Sequence, residues 1–209
     1  MLEPAKKAGA NLRIFDFGPY MVKIKCIGWV LAVMLVIAPW MAPAQHKLTK
    51  IKVNETITVQ VPKDWTAMDE MDVTQRYPSV RAPIAAYTNY ERVADFMINV
   101  SATQWPDDNV ELAKEFFKAG LVNMFDKVDM IDEGVRELSG KKFIFFEFES
   151  RMNGSRSQEE LREPVLRYTY IQYLIQPGQA LVFSFSCPRR IKDEWQATAR
   201  AMMKGVKVK

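Results

Sequence analysis

The chain has 209 residues, a net charge of +4, 48% hydrophobic and 26% charged residues, one histidine and two cysteines. Such a composition belongs to a packed globular protein and excludes a disordered, collagen-like or multi-span membrane chain. One histidine and two cysteines exclude a His-rich zinc site, a four-cysteine metal site and a disulfide framework.

Residues 1–20 carry Glu3 and Asp16 and read as an extension ahead of a start codon at Met21, or as disordered chain. From Met21 the pattern is that of a signal peptide: Lys23 and Lys25, an apolar run from Cys26 to Ile37, the breaker Pro39, and the small residues Ala42-Pro43-Ala44. Cleavage is expected between Ala44 and Gln45. The rival reading is an uncleaved anchor, which the run approaches in length once Trp40 and Met41 are included. Both readings place the rest of the chain outside the cytoplasm, because the positive flank stays inside. Removal of residues 1–44 takes away five basic and two acidic residues. The remainder, 45–209, has 24 basic and 23 acidic residues and a net charge of +1, so nucleic acid is not an expected partner. Cys187 is then the only cysteine left, expected as a buried, inert thiol.

Residues 45–209 read as one domain, with no repeat, low-complexity stretch or Pro/Gly-rich linker. Thr56–Val61 alternates as a half-buried strand ended by Pro62, and after a polar loop Ala85–Tyr87 and Ala94–Ser101 read as two more. Asp108 or Asn109 offers an N-cap to a helix in which Leu112, Phe116 and Ala119 recur at helical spacing beside Ala113, Phe117, Gly120 and Met124. That broad apolar stripe should face a sheet. Four strands follow over 128–138, 142–152, 165–176 and 180–187, with turn signals at Ser139-Gly140 and Pro177-Gly178. The polar connection from Asn153 to Pro164 is long enough to be mobile or functional. A helix over 191–203 carries Ile191, Trp195, Ala199 and Met202 on one stripe, and Val206–Val208 can add a last short strand.

This order, with the first-strand PKDW (62–65), the helix from Val110, the aromatic meander FIFFEFESR and YTYIQYLIQPGQALVFSFSCP, and the closing MMKGVKVK, resembles the PsbP-like superfamily over residues 50–209. That superfamily includes the PsbP subunit of the photosynthetic oxygen-evolving complex, a Ran-binding nuclear import factor and exported bacterial proteins of unknown role. The resemblance implies an α+β fold: an antiparallel sheet of about six to eight strands flanked by two main helices as an α/β/α sandwich. It also implies a binding or assembly factor rather than an enzyme. No metal-binding residue of the photosynthetic branch matches a position here.

Several residues invite a chemical reading. His46, the sole histidine, lies two residues past the expected cleavage point, where a terminus is usually loose, so Ser-His-Asp and Cys-His chemistry are poorly supported. No glycine-rich phosphate motif is present, and no cofactor is expected. Glu147 and Glu149 share one strand face, roughly 6.5 to 7 Å apart by strand rise, a spacing that glycoside-hydrolase carboxylates use. The plainer reading is a solvated face with Arg151 on the same side and Arg167 as a cross-strand partner. Asp126, Asp129, Asp132 and Glu133 are acidic enough to meet a metal ion, but strand periodicity puts Asp129 and Glu133 on one face and Asp132 on the other, so no metal site is expected. Tyr168 and Tyr170 on one face, with Tyr173 on the other, suit core packing better than an aromatic groove. Asn54, Asn99 and Asn153 head N-x-[ST] triplets, which matter only on a eukaryotic secretory route.

The sequence therefore favours an exported, non-enzymatic domain that recognises a protein or small ligand through loops at the sheet ends. Trp65, Trp105, Arg156, Glu159 and Glu160 are its candidate contacts. The alternatives are a carboxylate-dependent hydrolase using Glu147 and Glu149, and an envelope structural factor held in the membrane by an uncleaved leader.

Overall fold

A computed structural model describes residues 46–77, 81–103, 105, 109–153 and 163–209. The elements run β1 (Leu48–Lys52), β2 (Ile57–Pro62), β3 (Thr66–Ala67), α1 (Glu70–Arg76), β4 (Ala85–Thr88), β5 (Asp95–Ala102) and α2 (Val110–Met124). They continue as β6 (Lys127–Leu138), β7 (Lys141–Met152), β8 (Val165–Gln176), β9 (Gln179–Pro188), a 3₁₀ turn (Arg189–Ile191), α3 (Lys192–Lys204) and β10 (Lys207–Val208). Seven strands form an antiparallel sheet in the order β3-β4-β5-β9-β8-β7-β6, and β1, β2 and β10 form a second of order β1-β2-β10. The α+β architecture expected from the sequence is thus present, enlarged by β1, β3 and α1.

The turns explain the meander. Ser139 and Gly140 both have positive φ, as a type I′ hairpin between β6 and β7 requires, and Pro177 followed by Gly178 at φ 73° suits a type II turn between β8 and β9. α1 lies inside the stretch read as a loop. It buries no residue, so it lacks an apolar stripe, but Asp69 caps it by accepting from the Asp72 amide at 2.7 Å.

Strand alternation splits the apolar residues between two faces. Phe143, Tyr168, Tyr170, Phe183, Phe185 and Cys187 pack on one side with Trp195, Ala199 and Met202 of α3 and with Ile57, Val59 and Val61 of β2. Ile144, Phe146, Phe148 and Tyr173 pack on the other with Ala113 and Leu121 of α2. The expected stripe of α2 is therefore only half correct. Ala113 and Leu121 are buried and Phe117 stacks on Tyr173 at 4.5 Å, whereas Leu112 is 52% and Phe116 59% exposed. Packing of Ala113, Phe117 and Leu121 on the sheet, with Lys118 Nζ 2.7 Å from Glu133 Oε1 on β6, leaves Leu112, Phe116 and Gly120 on the opposite flank. Among the described residues no helix is long and apolar enough to cross a membrane.

Candidate functional site

Glu147 and Glu149 lie in the middle of β7, on the face covered by α3, and the solvated-face expectation is overturned there. Glu147 is 0% exposed. Its Oε1 accepts from the Tyr168 hydroxyl at 2.9 Å and from Gln196 Nε2 at 2.6 Å, and Arg200 Nε reaches Oε1 at 3.2 Å and Oε2 at 2.9 Å. Glu149 accepts from Lys192 Nζ at 2.7 Å and pairs with Arg189 Nε. Apart from Tyr168 on the adjacent β8, the donors come from α3 and the turn before it, because β7 runs beneath them. Arg167 is on the opposite face, donating to Ser186 Oγ at 2.7 Å, and Arg151 donates to Asn153 Oδ1 at 2.9 Å. A carboxylate so enclosed is a structural ion, tolerated in the core because its oxygens are matched by donors. Burial first, then the Glu147 charge, pushes the Tyr168 hydroxyl far above its ordinary range.

A second buried carboxylate escaped the sequence. Asp95, on β5, accepts from Arg76 Nη2 at 2.6 Å, from Thr88 Oγ1 at 2.7 Å and from the Tyr77 hydroxyl. Burial, followed by this bond to Asp95, pushes the Tyr77 hydroxyl well up. The network clasps the end of α1 onto the sheet. Its only sequence signal is an aspartate opening an apolar strand, since two of its three partners stand 18 and 19 residues away.

The acidic cluster is dispersed. A bulge between Met130 and Asp132 shifts the register, so Asp129 and Asp132 pair with Glu149 and Glu147 on one face, while Glu133 pairs with Phe146 on the other. This corrects the face assignment, which assumed unbroken alternation. Among the described residues no group of three or more His, Cys, Asp or Glu is placed to hold a metal ion. His46 is not loose: its ring stacks on Trp195 at 4.2 Å and its amide donates to Thr198 Oγ1 at 3.3 Å.

Of the candidate contacts, Arg156, Glu159 and Glu160, like Ala44 and Gln45, lie outside the described residues. Trp65 is corrected to a core residue, 7% exposed and packed on Phe185 and Trp195, because the strand turn after Pro62 folds it inward. Trp105 remains half-exposed, its ring 5.3 Å from that of Phe116. Together with Leu112 they form an exposed apolar flank of α2. Beside it the central strands present Met97, Asn99, Thr169 and Ser184 at half-buried positions on the same side of the sheet. The charges along α2 are compensated internally, Lys114 by Glu111 and Glu115 at 3.4 and 3.3 Å and Lys118 by Glu133. The sequence hint was an excess: α2 carries two apolar stripes, and one sheet face can bury only one.

No protein-family model and no curated sequence matches the chain. Solved structures do. The cyanobacterial PsbP (CyanoP) of Synechocystis sp. PCC 6803 superposes with a TM-score of 0.53 at 12% identity, covering 79% of this chain and 95% of that one. The chain has the PsbP-like fold. This PsbP-like domain is also similar to the Ran-binding protein Mog1p of Saccharomyces cerevisiae, with a TM-score of 0.51 at 10% identity over 78% of this chain and 96% of that one. LpqN of Mycobacterium tuberculosis, involved in cell envelope biogenesis, has a TM-score of 0.50 at 14% identity over 82% of this chain and 96% of its own.

Proposed function

We propose that this PsbP-like domain is an exported, non-catalytic binding or assembly factor that holds an apolar segment of a protein partner on the α2 flank formed by Trp105, Leu112 and Phe116. The observation that carries it is that flank: large apolar side chains stand exposed on a helix whose other stripe already fills the core. Such residues are the anchors that dominate protein interfaces, and an exposed apolar patch marks an interaction site. The internally paired charges around them argue for an apolar rather than a charged partner surface. Export is supported by the leader over 21–44, and by the similarity to LpqN, a protein of envelope biogenesis. A non-enzymatic role is supported by the saturation of Glu147 and Glu149 and by the similarity to a Ran-binding protein.

A photo-crosslinking residue at Leu112 of the full chain, in its own cells, tests the reading. One adduct of defined mass is expected, lost on adding Phe116→Arg, with none from the same probe at Glu55. Equal labelling at Glu55, or an adduct that survives Phe116→Arg, rejects the docking flank. Turnover of glycosides or esters that disappears in the Glu147→Gln, Glu149→Gln double variant would establish the hydrolase instead.

A further inference from the structure

At one end of the large sheet the ladder opens. β6 and β7 stay paired as far as Leu138 and Lys141 beside their turn, and β8 and β9 as far as Gln176 and Gln179 beside theirs. Between these two hairpins, however, the β7–β8 pairing stops at Phe143 and Leu174. Continued in register it would set Lys142 against Ile175 and Lys141 against Gln176. Instead those four residues stand apart and line a cavity of about 380 Å³, to whose wall Pro177 and Val110, the first residue of α2, also contribute. Lys142 and Gly140 on its rim are exposed and Lys141 is half-buried, so the cavity is open to solvent.

The polar side chains around this cavity all offer donors. Lys141 and Lys142 make no ion pair or side-chain hydrogen bond among the described residues. Gln176 accepts from Gln179 Nε2 at 3.2 Å through its Oε1, which leaves its own Nε2 to donate. No acidic residue is among those that line the cavity, and Glu137, opposite Lys142 on β6, is exposed and forms no ion pair with it. Two ammonium groups and an amide with no acceptor among them call for an anion. An ammonium is a compact point charge without the planar fork of a guanidinium, so it suits the tetrahedral oxygens of a phosphate better than the bidentate geometry of a carboxylate. Two lysines also balance the two charges of a phosphate monoester. The remaining walls, Val110, Leu174, Ile175 and Pro177, are apolar, and a bare phosphate ion would leave them uncovered. The volume stands at the small end of the roughly 300 to 1,000 Å³ of ligand pockets, which suits a body of one ring or a short chain.

We infer that this sheet-end cavity binds a small phosphate monoester, with Lys141, Lys142 and Gln176 on the phosphoryl oxygens and Val110, Ile175 and Pro177 against the apolar body. The site is built from the ends of two hairpins and does not rest on the docking of a protein partner at Leu112 and Phe116.

The test is calorimetric titration of the full chain with phenyl phosphate, phenol, sodium benzoate and inorganic phosphate. Saturable one-to-one binding of phenyl phosphate is expected, weakening as salt is raised, with none of phenol and at least about tenfold weaker binding of benzoate and of inorganic phosphate. Lys141→Gln should bind phenyl phosphate about tenfold more weakly, and the Lys141→Gln, Lys142→Gln double variant should lose binding altogether. Both should keep the parent's urea midpoint, because neither ammonium has a partner within the fold. The Lys50→Gln, Lys52→Gln variant removes the same charge from exposed positions on β1 and should bind as the parent does. Absence of saturable binding, phenol, benzoate or inorganic phosphate binding as tightly as phenyl phosphate, binding that survives the Lys141, Lys142 double variant, or an equal loss in the Lys50, Lys52 variant would overturn the site.

Discussion

At the scale of single residues, the charged groups that looked functional turn out to hold the core together. Glu147 joins three elements through Tyr168, Gln196 and Arg200, so removing it strands several donors at once. Glu147→Ala should lower stability by about 2 to 4 kcal/mol in urea unfolding, with Glu147→Gln closer to the parent because it keeps one acceptor. Arg200 is 44% exposed at its side chain and can recover water, which keeps the figure below that of a wholly buried pair. Cys187 answers to pH. Burial pushes its thiol from an ordinary 9.0 up to about 12, so the folded state favours the neutral form. The contribution of this group to stability is then complete below pH 9 and is lost as pH rises from 9 toward 12. Urea midpoints in the parent should fall over that window more steeply than in Cys187→Ala, and native protein at pH 8 should resist thiol alkylation until it unfolds.

At the scale of elements, α2 and α1 illustrate two opposite errors of pattern reading. α2 has more apolar surface than the sheet can take, and the stripe that packs on the strands is the one with the small Ala113, Phe117 and Leu121. Gly120 stands on its open flank, where an added Cβ would meet nothing within 4 Å. Gly120→Ala should therefore raise stability by about 0.5 to 1 kcal/mol through helix propensity alone, measured by thermal or urea unfolding. α1 has the reverse problem. It buries no residue and its amphipathic signal is absent, yet capping by Asp69 and the clasp of Arg76 and Tyr77 on Asp95 hold it in place. A helix maintained by polar contacts to a distant strand is invisible to a window that reads only periodicity.

At the scale of the whole molecule, the PsbP-like arrangement places the two sheets and α3 on one core and α2 on another, and both cores share the aromatic meander β7-β8-β9. Every candidate partner depends on whether the chain is exported. Fractionation with intact-mass analysis should return a product beginning at Gln45 in the extracytoplasmic soluble fraction, whereas a full-length membrane-bound band would mean that the leader is an anchor. Much of the strand order, both long helices and the hairpin turns were legible in the sequence, because each depends on a local signal: period-2 alternation, period-3.6 stripes, or a glycine that accepts positive φ at Gly140 and Gly178. Trp65, Asp95 and the pair Glu147–Glu149 could not be placed that way. Strand alternation puts Glu147 and Glu149 on the same face but does not say what lies above that face, and α3, more than 40 residues later, is what buries them. The sequence by itself determined most of the elements and, where alternation is unbroken, which side chains share a face. Only the tertiary structure decided which faces are covered, because burial is a property of distant segments meeting, and whether a carboxylate is a catalyst or a clamp depends on what meets it.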